Sequence, residues 1–119
     1  MSNLPFVSIV IPALNSEATM GKCLQSIKSL NYPEKKYEIV VVDNGSADMT
    51  AEIAKKYGAR VLYKPDKKIG ALRNCGAKVS LGEIIACTDS DLPYFLYNCS
   101  SFSLSRYVTT KSYLSFKTS

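Results

Sequence analysis

Two short apolar runs rich in β-branched residues, at positions 6–11 and 39–42, constrain the fold of this chain most strongly. Runs of this length without polar alternation are typical of strands buried on both faces of a parallel sheet. Between the two runs, Met20, Leu24, Ile27 and Leu30 recur at helical spacing. A strand, a helix and a second strand in this order form a βαβ unit, whose crossover is right-handed. We therefore predict an α/β protein with a mainly parallel sheet flanked by helices.

The same alternation of strands and helices continues to residue 87. Pro12 ends the first predicted strand, and Ser16 can cap the helix that follows it. A second helix from about Asp48 to Gly58, a third strand at 60–63, a third helix at 70–80 and a fourth strand at 84–87 complete the pattern. The predicted apolar positions are Met49, Ile53 and Tyr57 in the second helix, and Ile69, Leu72 and Val79 in the third.

The composition of the chain changes near Pro93. All ten Asp and Glu residues lie at or before Asp91, whereas basic residues continue to Lys117. From residue 92 onward the chain is rich in Ser, Tyr, Phe and Thr, has no Gly and shows no sustained strand or helix period. We therefore divide it into an α/β part at 1–92 and an irregular tail at 93–119. A truncated or frameshifted reading frame would account for such a tail.

Composition disfavours several classes of protein. No apolar run approaches the roughly 20 residues of a membrane span, and no basic region precedes the first apolar stretch as in a signal peptide. We therefore predict a cytoplasmic protein and leave peripheral membrane association open. The chain has no His, no Cys-x-x-Cys pair and only three widely spaced basic residues in its tail, which disfavours zinc and nucleic-acid binding. It also lacks the glycine-rich motifs of dinucleotide-binding enzymes and P-loop NTPases.

Polar residues follow the predicted strands at the edge where a parallel sheet binds ligands. Asp43 follows the second strand, and Asp89 and Asp91 follow the fourth. Because residues i and i+2 of an extended chain point the same way, Asp89 and Asp91 could share one hard divalent cation. A solvated turn after a buried strand is the alternative for this Asp-x-Asp. The first strand ends on the segment Pro12-Ala13-Leu14-Asn15.

Five segments, at 7–17, 38–50, 70–77, 80–85 and 88–91, occur in the order found in one protein family. The first carries Ile-Pro-Ala-Leu-Asn with Glu17, and the second carries Val-Asp-Asn-Gly-Ser with Asp48 and Thr50. The third reads Gly-Ala-Leu-Arg-Asn-Cys-Gly-Ala, and the last two lead to Thr-Asp-Ser-Asp. Together they resemble the nucleotide-sugar-binding domain of the family 2 glycosyltransferases, which has a Rossmann-like fold of the GT-A type. The resemblance covers about residues 6–91. It therefore implies a nucleotide-binding half that is incomplete.

Together with the alternating strands and helices, this resemblance predicts the strand order 3-2-1-4. It also implies that the chain binds a nucleoside-diphosphate sugar together with Mg²⁺ or Mn²⁺. The residues themselves leave other roles open for some of these positions. Asn15 and Glu17 are also good helix-start residues, Asp43 could cap the turn after it, and Arg73 could form a surface ion pair. By resemblance, Asp89 and Asp91 are the metal ligands. The full set of predicted donor-binding residues is Pro12, Ala13, Asn15, Glu17, Asp43, Arg73, Asp89 and Asp91.

An inverting glycosyl transfer also needs a base for the acceptor hydroxyl. In the resembled family this base is a carboxylate well beyond the Asp-x-Asp motif. No Asp, Glu or His follows Asp91, so the catalytic residue is unknown and the acceptor-binding half is missing. We therefore expect a donor-binding part that is incomplete for catalysis on its own. A non-catalytic nucleotide-binding or interaction module and a nucleotidyltransferase are the alternatives.

Overall fold

A computed structural model describes residues 4–29, 32–88 and 113–116 of the chain, the last range as a backbone strand. Strands and helices alternate through the described part, as the sequence predicts. In chain order they are β1 (Val7–Ala13), α1 (Glu17–Lys28), a short 3₁₀ helix (Glu34–Lys36), β2 (Tyr37–Asp43), α2 (Thr50–Lys56), β3 (Arg60–Tyr63), α3 (Ile69–Val79), β4 (Ile84–Cys87) and β5 (Tyr113–Phe116).

The strands form one sheet in the order β3-β2-β1-β4-β5. The first four are parallel to one another, which confirms the predicted order 3-2-1-4. The fifth strand is antiparallel to β4, with Ile84 opposite Phe116. It arises from the tail that was predicted to be irregular. Its residues lie in a Ser-, Tyr- and Phe-rich stretch without a sustained strand period, so no sequence pattern marked this strand.

Helices cover both faces of the sheet. On one face, Ile11 and Val41 belong to the same buried cluster as Met20, Leu24 and Ile27 of α1. On the other face, the buried cluster includes Val10, Val40, Val42, Leu72 and Ile85, with Leu72 coming from α3. All seven residues of β1 are buried, as expected for a central strand packed on both faces. The predicted apolar stripe of α1 is therefore confirmed, apart from Leu30, which lies outside the described residues.

Strand β1 extends two residues beyond its predicted end. Pro12 pairs with Val42, and Ala13 pairs with Asp43. The described pairing of β1 with β4 stops at Val10. Within the described residues, β1 is thus paired at Pro12 with β2 and not with β4. Proline, which has no backbone N–H, is tolerated at such a position.

Two of the predicted apolar helix positions are wrong. Met49 precedes the first residue of α2 and is 53% exposed, and Ile69 begins α3 and is also 53% exposed. Both lie at the N-terminal boundary of a helix, where the loop and not the helical period sets the direction of the side chain. The α2 helix ends as predicted before Gly58, whose φ of 87° lies in the left-handed region. No helix in the described ranges is long and apolar enough to cross a membrane.

Candidate functional site

The carboxyl ends of β1, β2 and β3 meet at one edge of the sheet. In the strand register, Ala13 lies beside Asp43, and Asp43 lies beside Tyr63. Two backbone bonds continue the pairing past the strand ends. The N–H of Asn44 donates to the carbonyl of Ala13 at 2.8 Å, and the N–H of Lys64 donates to that of Asp43 at 2.7 Å. The structure thus brings together Pro12, Ala13 and Asp43, where parallel sheets bind ligands.

Asp43 is a buried carboxylate at this edge, with 3% of its surface exposed. Its Oδ1 accepts two hydrogen bonds from Ser46, one from the backbone N–H at 3.0 Å and one from the hydroxyl at 2.6 Å. Within the described ranges, no residue donates a hydrogen bond to Oδ2. The turn-capping role that the sequence left open for Asp43 is therefore taken by one carboxylate oxygen, and the second oxygen is available to a ligand.

Asn15 connects the loop after β1 to the loop after β2. Its backbone has a φ of 49°, a left-handed conformation that Asn tolerates better than most residues. The N–H of Asn15 donates to the hydroxyl oxygen of Ser46 at 2.8 Å, and its Oδ1 accepts from the N–H of Ala47 at 2.8 Å. Both contacts hold the two loops together. A direct contact of Asn15 with a ligand would have to use its side-chain NH₂ group.

Glu17 and Asp48 form a second connection between the same loops. The N–H of Glu17 donates to Oδ2 of Asp48 at 3.1 Å, and the N–H of Met49 donates to Oε1 of Glu17 at 2.8 Å. Ser16 occupies the predicted N-cap of α1 but makes no side-chain capping bond, so Asp48 provides the acceptor at this helix end. The carboxylate of Glu17 therefore has one oxygen committed to the loop.

Thr50 completes this connection. Its N–H donates to Oδ1 of Asp48 at 3.0 Å, its hydroxyl donates to the same oxygen, and its Oγ1 accepts from the N–H of Ser16 at 2.8 Å. The hydrogen bond from the Thr50 hydroxyl is the main reason why the pKa of Asp48 lies below its ordinary value. No site role was predicted from the sequence for Ser46, Asp48 or Thr50. All three lie in the segment 38–50 that resembles the family, and this was the signal that could have identified them.

Positive charge lies beside this edge in the loop between β3 and α3. That loop carries Lys64, Lys67 and Lys68, and the N–H of Lys67 donates to Oδ1 of Asn44 at 3.2 Å. Arg73 follows in α3 and is partly buried. Because α3 packs against β1 and β2, its N-terminal half is held near their strand ends. An Arg in this region can bind phosphate oxygens in a bidentate manner.

Asp89 and Asp91 lie outside the described residues. The described chain reaches Thr88, whose N–H donates to the carbonyl of Val10 at 3.1 Å and so continues the pairing of β4 with β1. The ranges that are described contain no cluster of three residues suited to hold a metal ion. The chemistry of the donor set, two carboxylates separated by one residue, fits a hard cation such as Mg²⁺ or Mn²⁺.

Comparison with known proteins identifies relatives of this α/β part. The chain is 42% identical over 96 residues to glycosyltransferase AglE of Haloferax volcanii, a match that covers 76% of this chain and 32% of AglE. It is 40% identical over 98 residues to beta-monoglucosyldiacylglycerol synthase of Trichormus variabilis, covering 75% of this chain and 21% of that protein. The matched region therefore spans a third or less of these curated relatives.

Solved structures with the same fold include two that contain a nucleotide or a nucleotide sugar. S. aureus TarS 1-349 in complex with UDP-GlcNAc matches with a TM-score of 0.69 and 29% identity, covering 82% of this chain and 30% of that one. Glucosyl-3-phosphoglycerate synthase from Mycobacterium tuberculosis, in complex with Mn²⁺ and UDP among other groups, matches with a TM-score of 0.65 and 31% identity, covering 82% and 39%. The sequence profile of glycosyl transferase family 2 matches residues 8–95. This chain belongs to glycosyl transferase family 2 and has the parallel α/β fold of the GT-A glycosyltransferases.

Proposed function

We propose that this chain forms the donor-binding part of a glycosyltransferase and that it binds a nucleoside-diphosphate sugar at the carboxyl edge of β1 and β2. The observation that carries the proposal is the state of Asp43. One oxygen of its buried carboxylate is held by Ser46, whereas no described residue donates to the other. A carboxylate oxygen at this strand end can accept a hydrogen bond from a base N–H or from a ribose hydroxyl.

The other predicted donor-binding residues have proposed roles at the same edge. Pro12 and Ala13 line the end of β1, and the side-chain NH₂ of Asn15 is directed to the nucleoside. Arg73 binds the diphosphate, a role supported by its place on α3 beside the lysine-containing loop. The second carboxylate oxygen of Glu17 binds the ribose, because Oε1 already accepts a hydrogen bond from the N–H of Met49.

Asp89 and Asp91 are the proposed ligands of a divalent cation, either Mg²⁺ or Mn²⁺. When bound, such an ion neutralises the negative charge that develops on a departing diphosphate. The ligands named for the solved relatives, UDP-GlcNAc in one case and Mn²⁺ with UDP in another, support this choice of cation and donor. Two carboxylates alone leave room in the coordination shell for phosphate oxygens and water.

Inverting transfer is proposed for the complete reaction. In that reaction this chain binds the nucleotide, orients the diphosphate through Arg73 and holds the cation through its two carboxylates. A base that takes the proton from an acceptor hydroxyl is not assigned to any residue of this chain. Loss of acceptor positioning adds to the roughly 10²- to 10⁴-fold cost of losing a general base. We therefore expect donor binding, without efficient glycosyl transfer, from the 119-residue chain alone.

Titration with UDP and with GDP, each with and without MnCl₂, tests the proposal. Asp43→Ala is expected to weaken binding of the preferred nucleotide by about 10-fold or more under both conditions, because a hydrogen bond to a charged group is lost. Asp89→Asn and Asp91→Asn should remove the increase in affinity caused by Mn²⁺ and leave the metal-free affinity unchanged. Glu52→Gln, an exposed carboxylate on α2, serves as the control.

Thermal unfolding of each variant establishes that it is folded before its affinity is interpreted. Failure of the wild-type chain to bind either nucleotide would exclude the proposed function. Binding that survives Asp43→Ala unchanged would place the nucleotide elsewhere. A Mn²⁺ effect that persists after both Asp89→Asn and Asp91→Asn would show that the cation site is misassigned.

A further inference from the structure

The hydroxyl of Ser46 lies between Asn15, in the loop after β1, and Asp43, the last residue of β2. It accepts a hydrogen bond from the N–H of Asn15 at 2.8 Å and donates one to Oδ1 of Asp43 at 2.6 Å. An ionised carboxylate only accepts hydrogen bonds, and a backbone N–H only donates them. The hydroxyl proton of Ser46 must therefore point towards Asp43, and a lone pair of the hydroxyl oxygen must point towards Asn15. The three residues form a chain of hydrogen bonds with one direction.

Ser46 also binds Asp43 through its backbone. The N–H of Ser46 donates to the same Oδ1 at 3.0 Å, so this oxygen has two donors from a single residue. Two bonds to one oxygen restrict rotation of the carboxylate about its Cβ–Cγ bond more than one bond does. Because Asp43 is 3% exposed, water does not readily replace a lost donor. The hydroxyl therefore determines how firmly the second oxygen, Oδ2, is held in one position.

We propose that Ser46 is a positioning residue for donor binding, acting through the Asp43 carboxylate. The inference rests on the proposed function, in which Oδ2 of Asp43 accepts a hydrogen bond from the nucleoside. With Ser46 in place, the carboxylate is oriented before the ligand arrives, and binding does not have to order it. The same hydroxyl fixes Asn15 of the β1–α1 loop, so the two residues that face the nucleoside are positioned together.

Three variants distinguish this role from a general contribution to folding. Ser46→Ala removes the hydroxyl and keeps the backbone N–H bond to Asp43. Ser46→Thr keeps the hydroxyl and serves as the conservative rescue. Ser29→Ala is the matched control, because Ser29 lies after the last residue of α1 and its hydroxyl donates to a carbonyl of that helix, that of Gln25, at 3.0 Å.

The full chain is titrated with UDP and with GDP. Binding is monitored by NMR up to millimolar nucleotide concentrations, so that weak affinities are measured. Ser46→Ala is expected to raise Kd for the preferred nucleotide about 5- to 10-fold, the usual effect of one hydrogen bond. Ser46→Thr and Ser29→Ala should bind within about twofold of wild type. In an Asp43→Ala background, Ser46→Ala should cause a smaller loss than in the wild type, because only its contact with Asn15 is then left to remove.

The possible failures separate the inference from the function on which it rests. A wild-type chain that binds neither UDP nor GDP removes the proposed function, and the role of Ser46 with it. A chain that binds nucleotide and loses affinity with Asp43→Ala, but not with Ser46→Ala, retains the function and overturns the inference. The inference is also overturned if Ser46→Thr fails to rescue binding while remaining folded. The inference is also overturned if Ser46→Ala lowers the affinity by the same factor in the Asp43→Ala background as in the wild type.

Discussion

Glu17 and Asp48 join two loops through hydrogen bonds that run in both directions. Asp48 accepts from the backbone N–H of Glu17 at 3.1 Å, and Glu17 accepts from the N–H of Met49, the residue after Asp48, at 2.8 Å. Each carboxylate thus satisfies a backbone donor in the other loop. Since both loops follow strands that end at the candidate site, this pairing keeps the edge ordered before a ligand binds.

The Asp48 carboxylate is expected to make stability depend on pH in the acid range. Its pKa is lowered from the ordinary 3.8, mainly by the hydroxyl of Thr50 and further by backbone N–H groups. Because the folded-state pKa is the lower one, the contribution to stability is present above about pH 3.8 and is lost as the pH falls through the folded-state value. Asp48→Asn should abolish this part of the pH dependence.

Urea unfolding of the wild type and Asp48→Asn from pH 7 down to about pH 2.5 checks this expectation. The wild type should be the more stable protein at neutral pH, with the difference shrinking below pH 3.8. Glu52→Gln, which removes an exposed carboxylate from α2, provides the control. A difference between the wild type and Asp48→Asn that stays constant over the whole range would show that ionisation of Asp48 is not the cause.

Glu38 is expected to contribute more to stability than a typical surface acid. Its carboxylate accepts from the hydroxyl of Ser8 at 2.5 Å, from the N–H of Leu81 at 2.8 Å and from Arg60 at 3.1 Å. Ser8 is fully buried in β1, so these bonds attach the turn before β4 to the centre of the sheet. Glu38→Gln should lower the free energy of unfolding by about 1–3 kcal/mol, as measured by urea denaturation.

The matched control for Glu38 is Glu34, which pairs with Lys28 at 3.4 Å and has a side chain that is 74% exposed. An exposed ion pair contributes roughly 0–1 kcal/mol, so Glu34→Gln should have little effect on unfolding. Equal losses for the two variants would show that the charge of Glu38 contributes no more than an exposed surface charge does.

Substitutions of Asn15 test how much the stability of the protein depends on the left-handed backbone conformation at this residue. Its φ of 49° penalises residues with a Cβ, whereas Gly adopts it freely. Asn15→Gly and Asn15→Ala both lose the bond to the N–H of Ala47, so they differ mainly in backbone strain. We expect Asn15→Ala to be the less stable variant by about 1 kcal/mol in denaturant unfolding. Asn15→Ala as stable as Asn15→Gly would contradict the left-handed conformation.

Local sequence patterns were sufficient for the location of the edge and, together with the family resemblance, for the order of the parallel strands. Uninterrupted β-branched runs identify central strands, and polar residues after such runs mark the carboxyl ends. The patterns were insufficient for Ser46 and Asp48, because the partners of these side chains lie about 31 positions away and meet them only once β1 and β2 are in register. For Ser8, the pairing with Glu38 likewise depends on neighbouring strands.

Two glycines of α3 should respond in opposite ways to the addition of one methyl group. A Cβ at Gly76 would lie 2.4 Å from Cγ1 of Val10 and 3.1 Å from Cγ2 of Val42, so α3 would have to move away from the sheet. At Gly70, in the first turn of the same helix, a Cβ meets no atom within 4 Å. The close approach of α3 to β1 therefore requires glycine at one position and not at the other.

We expect Gly76→Ala to destabilise the protein by about 1–3 kcal/mol through overpacking. Gly70→Ala should be neutral or stabilising by up to about 1 kcal/mol, because Ala has the higher helix propensity. Urea unfolding of the two variants beside the wild type measures both effects in the same helix. If Gly76→Ala were as stable as Gly70→Ala, α3 would have to pack farther from Val10 than the structure places it.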